Sequence, residues 1–244
     1  MDGTTPSKLR YIRRVGLLGD IHGHSAELTT ALTHLKELPD LDALLCTGDI
    51  PGMTVDGDSN HCCRLLEENR VIVVRGNHDR WAVENAESRV LLGLSDEWPL
   101  APGSNQFLRS LPPTYEFETA LGLVLLCHGT GSDDLTGLYP GDGINAFDHN
   151  HALHALYREE RVRLLVCGHT HQRMVRQLDH LTILNASSLA WEKIEGLPMR
   201  TSPGTALRHK NPCFAVVDFE QRAAQFYNID RVTHAIREAE RFSL

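Results

Sequence analysis

Val71-Ile72-Val73-Val74-Arg75-Gly76-Asn77-His78-Asp79 is the stretch from which both the fold and a site can be predicted. Its four consecutive β-branched residues predict a buried strand that is covered on both faces. Gly76 ends this strand, and three polar side chains able to bind a metal or carry a proton follow at once. Open α/β sheets build their sites at the carboxyl ends of their strands. The stretch therefore predicts a functional site at one edge of a parallel sheet.

Four other predicted strands end in the same way, with a carboxylate or imidazole soon after an apolar run. They are Ile12–Gly19 before Asp20 and His22, Ala43–Thr47 before Asp49, Leu121–Cys127 before His128, and Val162–Cys167 before His169 and His171. A single Asp or His in such a place is usually a turn or cap residue. Five strand ends of this kind, most with a glycine beside them, indicate a shared site.

The first eighty residues alternate between predicted strands and helices. Ser25 is placed to cap a helix, and a second helix is predicted near His61–Asn69. The apolar residues of the first helix share one face, and they are Leu28, Ala31, Leu32 and Leu35. The resulting β-α-β-α-β order predicts parallel strands with right-handed connections.

The remaining chain is predicted to contain an insertion, several hairpins and a closing helix. Residues 81–112 form the insertion, a candidate lid over the substrate, with plain packing as the alternative. Helices are predicted at Ala82–Leu94, Ala152–Glu160 and Arg231–Phe242, and loops at Trp98–Ser110, Thr130–Asn145 and 190–211. Three strand pairs are predicted as well: Tyr115–Thr119 with Leu121–Cys127, Met174–Leu178 with Leu181–Asn185, and Phe214–Phe219 with Ala223–Tyr227. Without an internal repeat or a low-complexity linker, residues 1–244 are expected to form one domain.

Composition restricts the possible partners. The chain has 244 residues and a formal net charge of −8, which argues against binding long nucleic acids or anionic membranes. No apolar run is long enough to span a bilayer, and the N-terminus lacks the apolar core of a signal peptide. The six cysteines form no C-x-x-C pair, and most lie in apolar runs. We therefore expect a reduced, cytoplasmic protein whose oligomeric state is open.

Asp20-x-His22, Gly48-Asp49, Gly76-Asn77-His78-Asp79, His128-Gly129 and Gly168-His169-x-His171 together resemble the motifs of the calcineurin-like metallophosphoesterases. The resemblance covers residues 15–190 and is strongest to the small single-domain phosphodiesterases of bacteria and archaea. It implies an α/β fold of four α/β/β/α layers with two mixed central sheets. It also implies a dinuclear metal site at the carboxyl ends of the strands.

The same resemblance implies a role for each motif residue. Two divalent transition-metal ions are expected, manganese first, with iron, zinc, nickel or cobalt as alternatives. The first ion would be held by Asp20, His22, Asp49 and His171, and the second by Asn77, His128, His169 and the shared Asp49. A hydroxide between the ions would attack phosphorus in line. His78 would assist at the leaving oxygen, and Asp79 would orient the His78 ring.

The implied function is metal-dependent hydrolysis of a small phosphoester, with a nucleotide-derived substrate as a candidate. A phosphodiesterase is expected first and a phosphomonoesterase second. A non-catalytic scaffold of the same fold is disfavoured because every ligand position and His78 are present. Three departures from the family pattern leave the roles of the residues concerned open. His24 stands where many relatives have Asn, and Asn185-Ala186-Ser187-Ser188 stands where they often have Asn-Pro-Gly-Ser. The segment Ile50-Pro51-Gly52-Met53 lacks the Arg that is typical of the serine/threonine protein phosphatases and their dinucleoside-polyphosphatase relatives. The role of the basic loop at 200–210 is also open.

Overall fold

The computed structural model describes residues 10–52, 58–92, 100–190 and 211–244. The elements in chain order are β1 (Arg14–Leu18), α1 (Ser25–Glu37), β2 (Ala43–Cys46), α2 (Ser59–Glu68), β3 (Ile72–Val73), α3 (Asn77–Leu92), α4 (Pro102–Ser110), β4 (Thr114–Thr119), β5 (Gly122–Cys127), α5 (Ile144–His149), α6 (His151–Glu159), β6 (Val162–Cys167), β7 (Met174–Leu178), β8 (Leu181–Asn185), β9 (Cys213–Asp218), β10 (Ala223–Ile229) and β11 (Ile236–Ser243). The predicted loop at 190–211 falls almost wholly outside the described residues. Within them, no helix is both long enough and apolar enough to cross a membrane.

The strands form two mixed sheets, as expected from the motif resemblance. The six-stranded sheet has the order β11-β10-β9-β1-β2-β3, and the five-stranded sheet has the order β4-β5-β6-β8-β7. β1, β2 and β3 are parallel, which confirms the predicted β-α-β-α-β start. On its other side β1 pairs antiparallel with β9, so residues far along the chain complete the first sheet. In the second sheet β5, β6 and β8 are parallel.

Apolar side chains fill the space between the sheets and the space under the helices on each outer face. Leu17 and Leu45 of the first sheet share a buried cluster with Val124 and Leu164 of the second. A further cluster lies between the first sheet and helices α1, α2 and α4, and includes all four residues of the predicted α1 face. A last cluster joins β5, β6 and β8 to α5 and α6. The four α/β/β/α layers are therefore confirmed.

The predicted closing helix Arg231–Phe242 is wrong, because residues 236–243 form β11 against β10. Its partly buried residues Ile236, Ala239 and Phe242 recur every three positions, a spacing that resembles a helix face. A register shift produces this spacing: Tyr227 pairs with Glu238 while Gln225 pairs with Arg241, so β11 carries one extra residue. Such a β-bulge breaks the period of two that identifies a strand.

Other elements differ from the prediction in smaller ways. The predicted loop Trp98–Ser110 contains α4, whose Leu108 is buried in the cluster with α2 and whose first turn carries Pro102. The predicted loop Thr130–Asn145 contains the start of α5. Ser25 is the first residue of α1, whose cap residue is His24 without a side-chain cap bond. α4 packs against α2 and α3, and the lid role of the insertion stays a prediction.

Candidate metal centre

The five predicted strand ends meet where the carboxyl ends of both sheets adjoin. One group contains Asp20, His22, Asp49 and His171, whose ligand atoms all lie within 4.8 Å of one another. Nε2 of His22 lies 3.1 Å from Nε2 of His171 and 3.6 Å from Oδ2 of Asp49. Three of the four residues are buried, and His171 is partly exposed. The first predicted ligand set is thus brought together by the fold.

The second predicted set lies directly beside the first. Oδ1 of Asn77 is 3.0 Å from Nε2 of His128 and 3.2 Å from Nδ1 of His169. Oδ2 of Asp49 is 3.3 Å from Nε2 of His128. This one carboxylate oxygen therefore faces His22 of the first group and His128 of the second. The fold brings all seven predicted ligand residues together, with Asp49 between the two groups.

Two backbone carbonyls orient the central histidines. Nδ1 of His22 donates to the carbonyl of Pro51 over 3.2 Å, and Nδ1 of His128 donates to the carbonyl of Thr47 over 2.8 Å. Because a carbonyl only accepts, Nδ1 of each ring carries a proton and Nε2 of each ring faces the site. The sequence carried no signal for these contacts, since they come from main-chain oxygens.

The atoms that converge here are almost all acceptors. Oδ2 of Asp20 is buried without a hydrogen-bond partner, and the Nε2 lone pair of His22 faces a carboxylate oxygen of Asp49. Buried acceptors require a donor or a cation. Imidazole, carboxylate and amide ligands without thiolate suit a divalent transition metal. The donor set therefore fits metal binding.

The ionisation of the histidines agrees with this fit. Burial lowers the pKa of His22, His78 and His169, which keeps these rings neutral with a free lone pair. Burial also opposes protonation of His128, but the charges of Asp49 and Asp20 prevail and raise its pKa to about 10. The His128 ring and other nearby imidazoles hold the pKa of Asp49 below its usual range despite burial. A cation beside Asp49 would satisfy the same negative charge that here draws a proton to His128.

Four of the proposed ligands occupy a strained backbone conformation. His22, Asp49, His169 and His171 have φ angles of 47°, 54°, 65° and 57°, in the left-handed region. Non-glycine residues rarely adopt this region, and each such residue costs about 1–3 kcal/mol. Of the ten described non-glycine residues with positive φ, four belong to this one cluster, and such clustering is typical of a functional site.

Asp79 does not have the predicted role. Its Oδ2 accepts hydrogen bonds from the amides of Asp49 and Gly76, and its Oδ1 accepts one from Ile50. Burial and the nearby Asp49 raise the pKa of Asp79 to about 7, and the amide donors counteract them. Both oxygens are thus occupied by backbone amides, so the prediction that Asp79 orients the His78 ring is wrong. Asp79 instead fixes the turn that carries Asp49.

Gly76 allows that turn to approach β3. A Cβ added to Gly76 would lie 2.2 Å from Oδ1 of Asp49 and 2.6 Å from its backbone nitrogen. Gly76→Ala should therefore displace Asp49 and weaken metal binding about 10- to 100-fold in calorimetric titration, the range seen when groups supporting a ligand are lost. Gly103→Ala is the matched control, because nothing lies within 4 Å of its added Cβ. Equal affinities in the two variants would contradict this prediction.

The segment Asn185–Ser188 supports the centre more closely than its sequence suggested. Nδ2 of buried Asn185 donates to the carbonyl of Gly168 over 2.6 Å and to Oγ1 of Thr170 over 3.1 Å. Oγ of Ser188 donates to the carbonyl of Asp20 over 2.8 Å. These contacts hold the turns that carry His169, His171 and Asp20. The sequence signal for these contacts is a polar residue at the end of β8, the same kind of signal that marks the proposed ligands.

His78 lies on the open side of the centre. Its ring packs edge-on against His22, with the ring centres 4.7 Å apart, and also contacts Trp81 at 5.1 Å. Two residues farther along α3, Arg80 forms a bidentate ion pair with Asp134 at 2.8 and 2.9 Å. His24 lies 3.8 Å from the Glu27 carboxylate at the start of α1. The basic loop at 200–210 lies outside the described residues.

The sequence model of the calcineurin-like phosphoesterase superfamily domain matches residues 14–222. The chain belongs to the calcineurin-like phosphoesterase superfamily. This confirms the resemblance inferred from the strand-end motifs. The superfamily is named for enzymes that hydrolyse phosphoric esters.

Individual proteins match the chain less completely than the superfamily model does. Serine/threonine-protein phosphatase 1 of Salmonella typhimurium is 33% identical over 89 residues, which make up 35% of this chain and 40% of that protein. The chain thus matches about two fifths of this curated relative. A hypothetical protein of Pyrococcus horikoshii OT3 superposes with a TM-score of 0.64 at 16% identity, over 93% of this chain and 87% of the other. A candidate diadenosine tetraphosphatase superposes with a TM-score of 0.52 at 17% identity, over 95% and 97%. These two structures support the fold.

Proposed function

We propose that this phosphoesterase superfamily member is a phosphodiesterase that uses two divalent metal ions. Asp20, His22, Asp49 and His171 would hold one ion, and Asn77, His128, His169 and the shared Asp49 the other. The observation that carries the proposal is the position of Oδ2 of Asp49, which lies 3.6 Å from Nε2 of His22 and 3.3 Å from Nε2 of His128. A carboxylate oxygen between two groups of ligands is suited to bridging two ions.

The bound ions would neutralise charge on the phosphoryl oxygens and lower the pKa of water enough to make it a nucleophile at neutral pH. The protein's own contribution is to fix the ligands before substrate arrives. Carbonyls orient His22 and His128, Asp79 holds the Asp49 turn, and Asn185 holds the turn of His169 and His171. We propose manganese as the ion of choice, although the ligand types suit the neighbouring transition metals equally.

His78 is the proposed catalytic side chain. Its ring borders His22 but hydrogen-bonds to none of the described residues, and it is only partly buried. Burial lowers its pKa, so at neutral pH the ring is uncharged and carries one N–H. That N–H is placed to donate to the leaving oxygen or to a phosphoryl oxygen as negative charge develops.

Charge favours a diester over a monoester. At neutral pH a phosphodiester carries one negative charge and a phosphomonoester carries close to two. Binding of a monoester therefore benefits more from a cationic side chain in addition to the two metal ions. Arg80 is the arginine nearest to His78 in the chain, and Asp134 and Glu84 already pair with it. A phosphomonoesterase is the second candidate, because the curated relative is named as a protein phosphatase. We further propose a small substrate. We also propose a cytoplasmic location, which the six free and buried cysteines support.

The test measures hydrolysis of bis(p-nitrophenyl) phosphate and p-nitrophenyl phosphate by metal-stripped protein after manganese, nickel, zinc or magnesium is restored. We expect metal-dependent cleavage with a higher kcat/KM for the diester. His78→Ala should lower kcat about 100-fold or more, in the range of a lost general acid, while metal affinity stays within a few-fold of wild type. His149→Ala removes an exposed histidine from α5 and serves as the matched control.

The outcomes separate the candidates. A higher kcat/KM for the monoester would replace the diesterase by the phosphatase. Tight metal binding without turnover of either ester would contradict both. Retained activity in His78→Ala would remove His78 from the mechanism and leave the metal centre in place.

A further inference from the structure

Trp81 is a large apolar side chain that the fold leaves partly uncovered beside the candidate centre. Its side chain is 39% exposed, although indole rings are usually well buried in domains of this size. Its ring centre lies 5.1 Å from that of His78, which in turn lies 4.7 Å from that of His22. Two ring contacts thus connect Trp81 to a proposed metal ligand. The indole therefore lies at the mouth of the site.

The surroundings hold Trp81 in place without covering it. Arg80 is drawn toward the loop after β5 by its bidentate pair with Asp134, and its guanidinium carbon is 5.9 Å from the Trp81 ring centre. The same loop approaches the other side of the centre, where a Cβ added to Gly137 would lie 3.2 Å from the His169 ring. Leu135, next to Asp134, is 52% exposed. The rim of the site beside His78 therefore carries an aromatic ring flanked by Arg80.

We propose that Trp81 is a specificity-determining residue that stacks against a planar group of the substrate, so that the preferred substrates are nucleotide phosphodiesters. This inference rests on the proposed phosphodiesterase function and adds a substrate class to it. An exposed aromatic ring beside a phosphate-binding centre provides a stacking surface for a nucleobase, whichever base it is. Arg80, whose guanidinium carbon lies 5.9 Å from the Trp81 ring centre, already pairs with Asp134 and Glu84. This neutralised cation suits an uncharged ring better than a second phosphate.

The experiment compares thymidine 5′-p-nitrophenyl phosphate with methyl p-nitrophenyl phosphate on the manganese-loaded protein. Both esters release the same leaving group, so the ratio of their KM values reports on the nucleoside. We expect the wild-type protein to have the lower KM for the thymidine ester. Trp81→Ala should raise that KM about 10-fold, within the range of a lost base–aromatic stack, and Trp81→Phe should restore most of the loss. Tyr11→Ala, which removes an aromatic side chain that is 56% exposed before β1, is the matched control.

Nucleotide binding is measured separately from turnover. The chain contains Trp81, Trp98 and Trp191, so adenosine 5′-monophosphate should quench part of the tryptophan fluorescence of the wild-type protein and less of that of Trp81→Phe. An unchanged KM ratio in Trp81→Ala, or equal quenching in the two proteins, would overturn the stacking inference. A fall in kcat alone would also overturn it, since Trp81 would then only support His78. Trp81-dependent quenching without hydrolysis of any ester would uphold stacking of a nucleobase on Trp81, while the proposed phosphodiesterase function and the substrate class that rests on it would both fail.

Discussion

Asp49→Asn is expected to abolish metal-restored hydrolysis, with a loss of more than about 100-fold in kcat/KM, beyond that seen for residues that only support a ligand. Oδ2 of Asp49 faces both ligand groups, so this change removes the negative charge that attracts cations to either. The amide oxygen can still accept the backbone N–H of His78, as Oδ1 of Asp49 does over 2.8 Å, so the fold should persist. Metal should therefore raise the melting temperature of the wild-type protein much more than that of the variant.

Calorimetric titration with manganese provides the direct measurement for Asp49→Asn. Asp148→Asn is the matched control, because Asp148 is exposed on α5. Wild-type affinity and stoichiometry in Asp49→Asn would contradict the shared-ligand assignment. Loss of a single ion with the other retained would restrict Asp49 to one group.

Asp79→Ala is expected to lower the free energy of unfolding by about 2–4 kcal/mol, measured by urea denaturation of the metal-stripped protein. The alanine would leave the amides of Asp49, Ile50 and Gly76 without an acceptor, and each buried orphan costs about 1–3 kcal/mol. The substitution also removes the repulsion between the Asp79 and Asp49 carboxylates, which offsets part of this destabilisation. Metal affinity should fall as well, because the turn that places Asp49 loses its support.

Asp58→Ala provides the comparison for Asp79→Ala. Oδ1 of Asp58 accepts one N–H, from His61 at the start of α2, at an exposed position. Losing a cap of this kind costs about 1 kcal/mol. If Asp79→Ala were no more destabilising than Asp58→Ala, the central role of Asp79 in this turn would be refuted.

The site could be predicted from the sequence because its residues follow directly after apolar strands. The carboxyl ends of parallel strands meet at one edge, so Asp20, Asp49 and Asn77 had to lie close together once β1, β2 and β3 were recognised. The placement of His128 and His169 in the second sheet came from the family resemblance. The hydrogen-bond partners of Asp79 could not be predicted. The motif Asn77-His78-Asp79 is compatible both with a carboxylate that orients the His78 ring and with one that accepts hydrogen bonds from backbone amides.

The errors in the predicted fold have local physical causes. The C-terminal residues have good helix formers and a spacing of three, yet β10 offers an open edge and the bulge accommodates the extra residue. In α4, Gly103 and Asn105 are poor helix formers, but burial of Leu108 against α2 outweighs their propensity. In both segments the deciding contact comes from a part of the chain that a local pattern does not include.

The pairing of β1 with β9 has a consequence for synthesis of the chain. β1 begins at Arg14 and β9 at Cys213, so at typical translation rates roughly 10–40 s separate their appearance. Once residue 171 has been made the nascent chain carries every proposed ligand, yet one edge of β1 stays unpaired until β9 appears. Exposed strand edges recruit other strands. A prematurely terminated product ending near residue 190 would therefore be a strong candidate for aggregation and for chaperone capture, despite containing the whole ligand set.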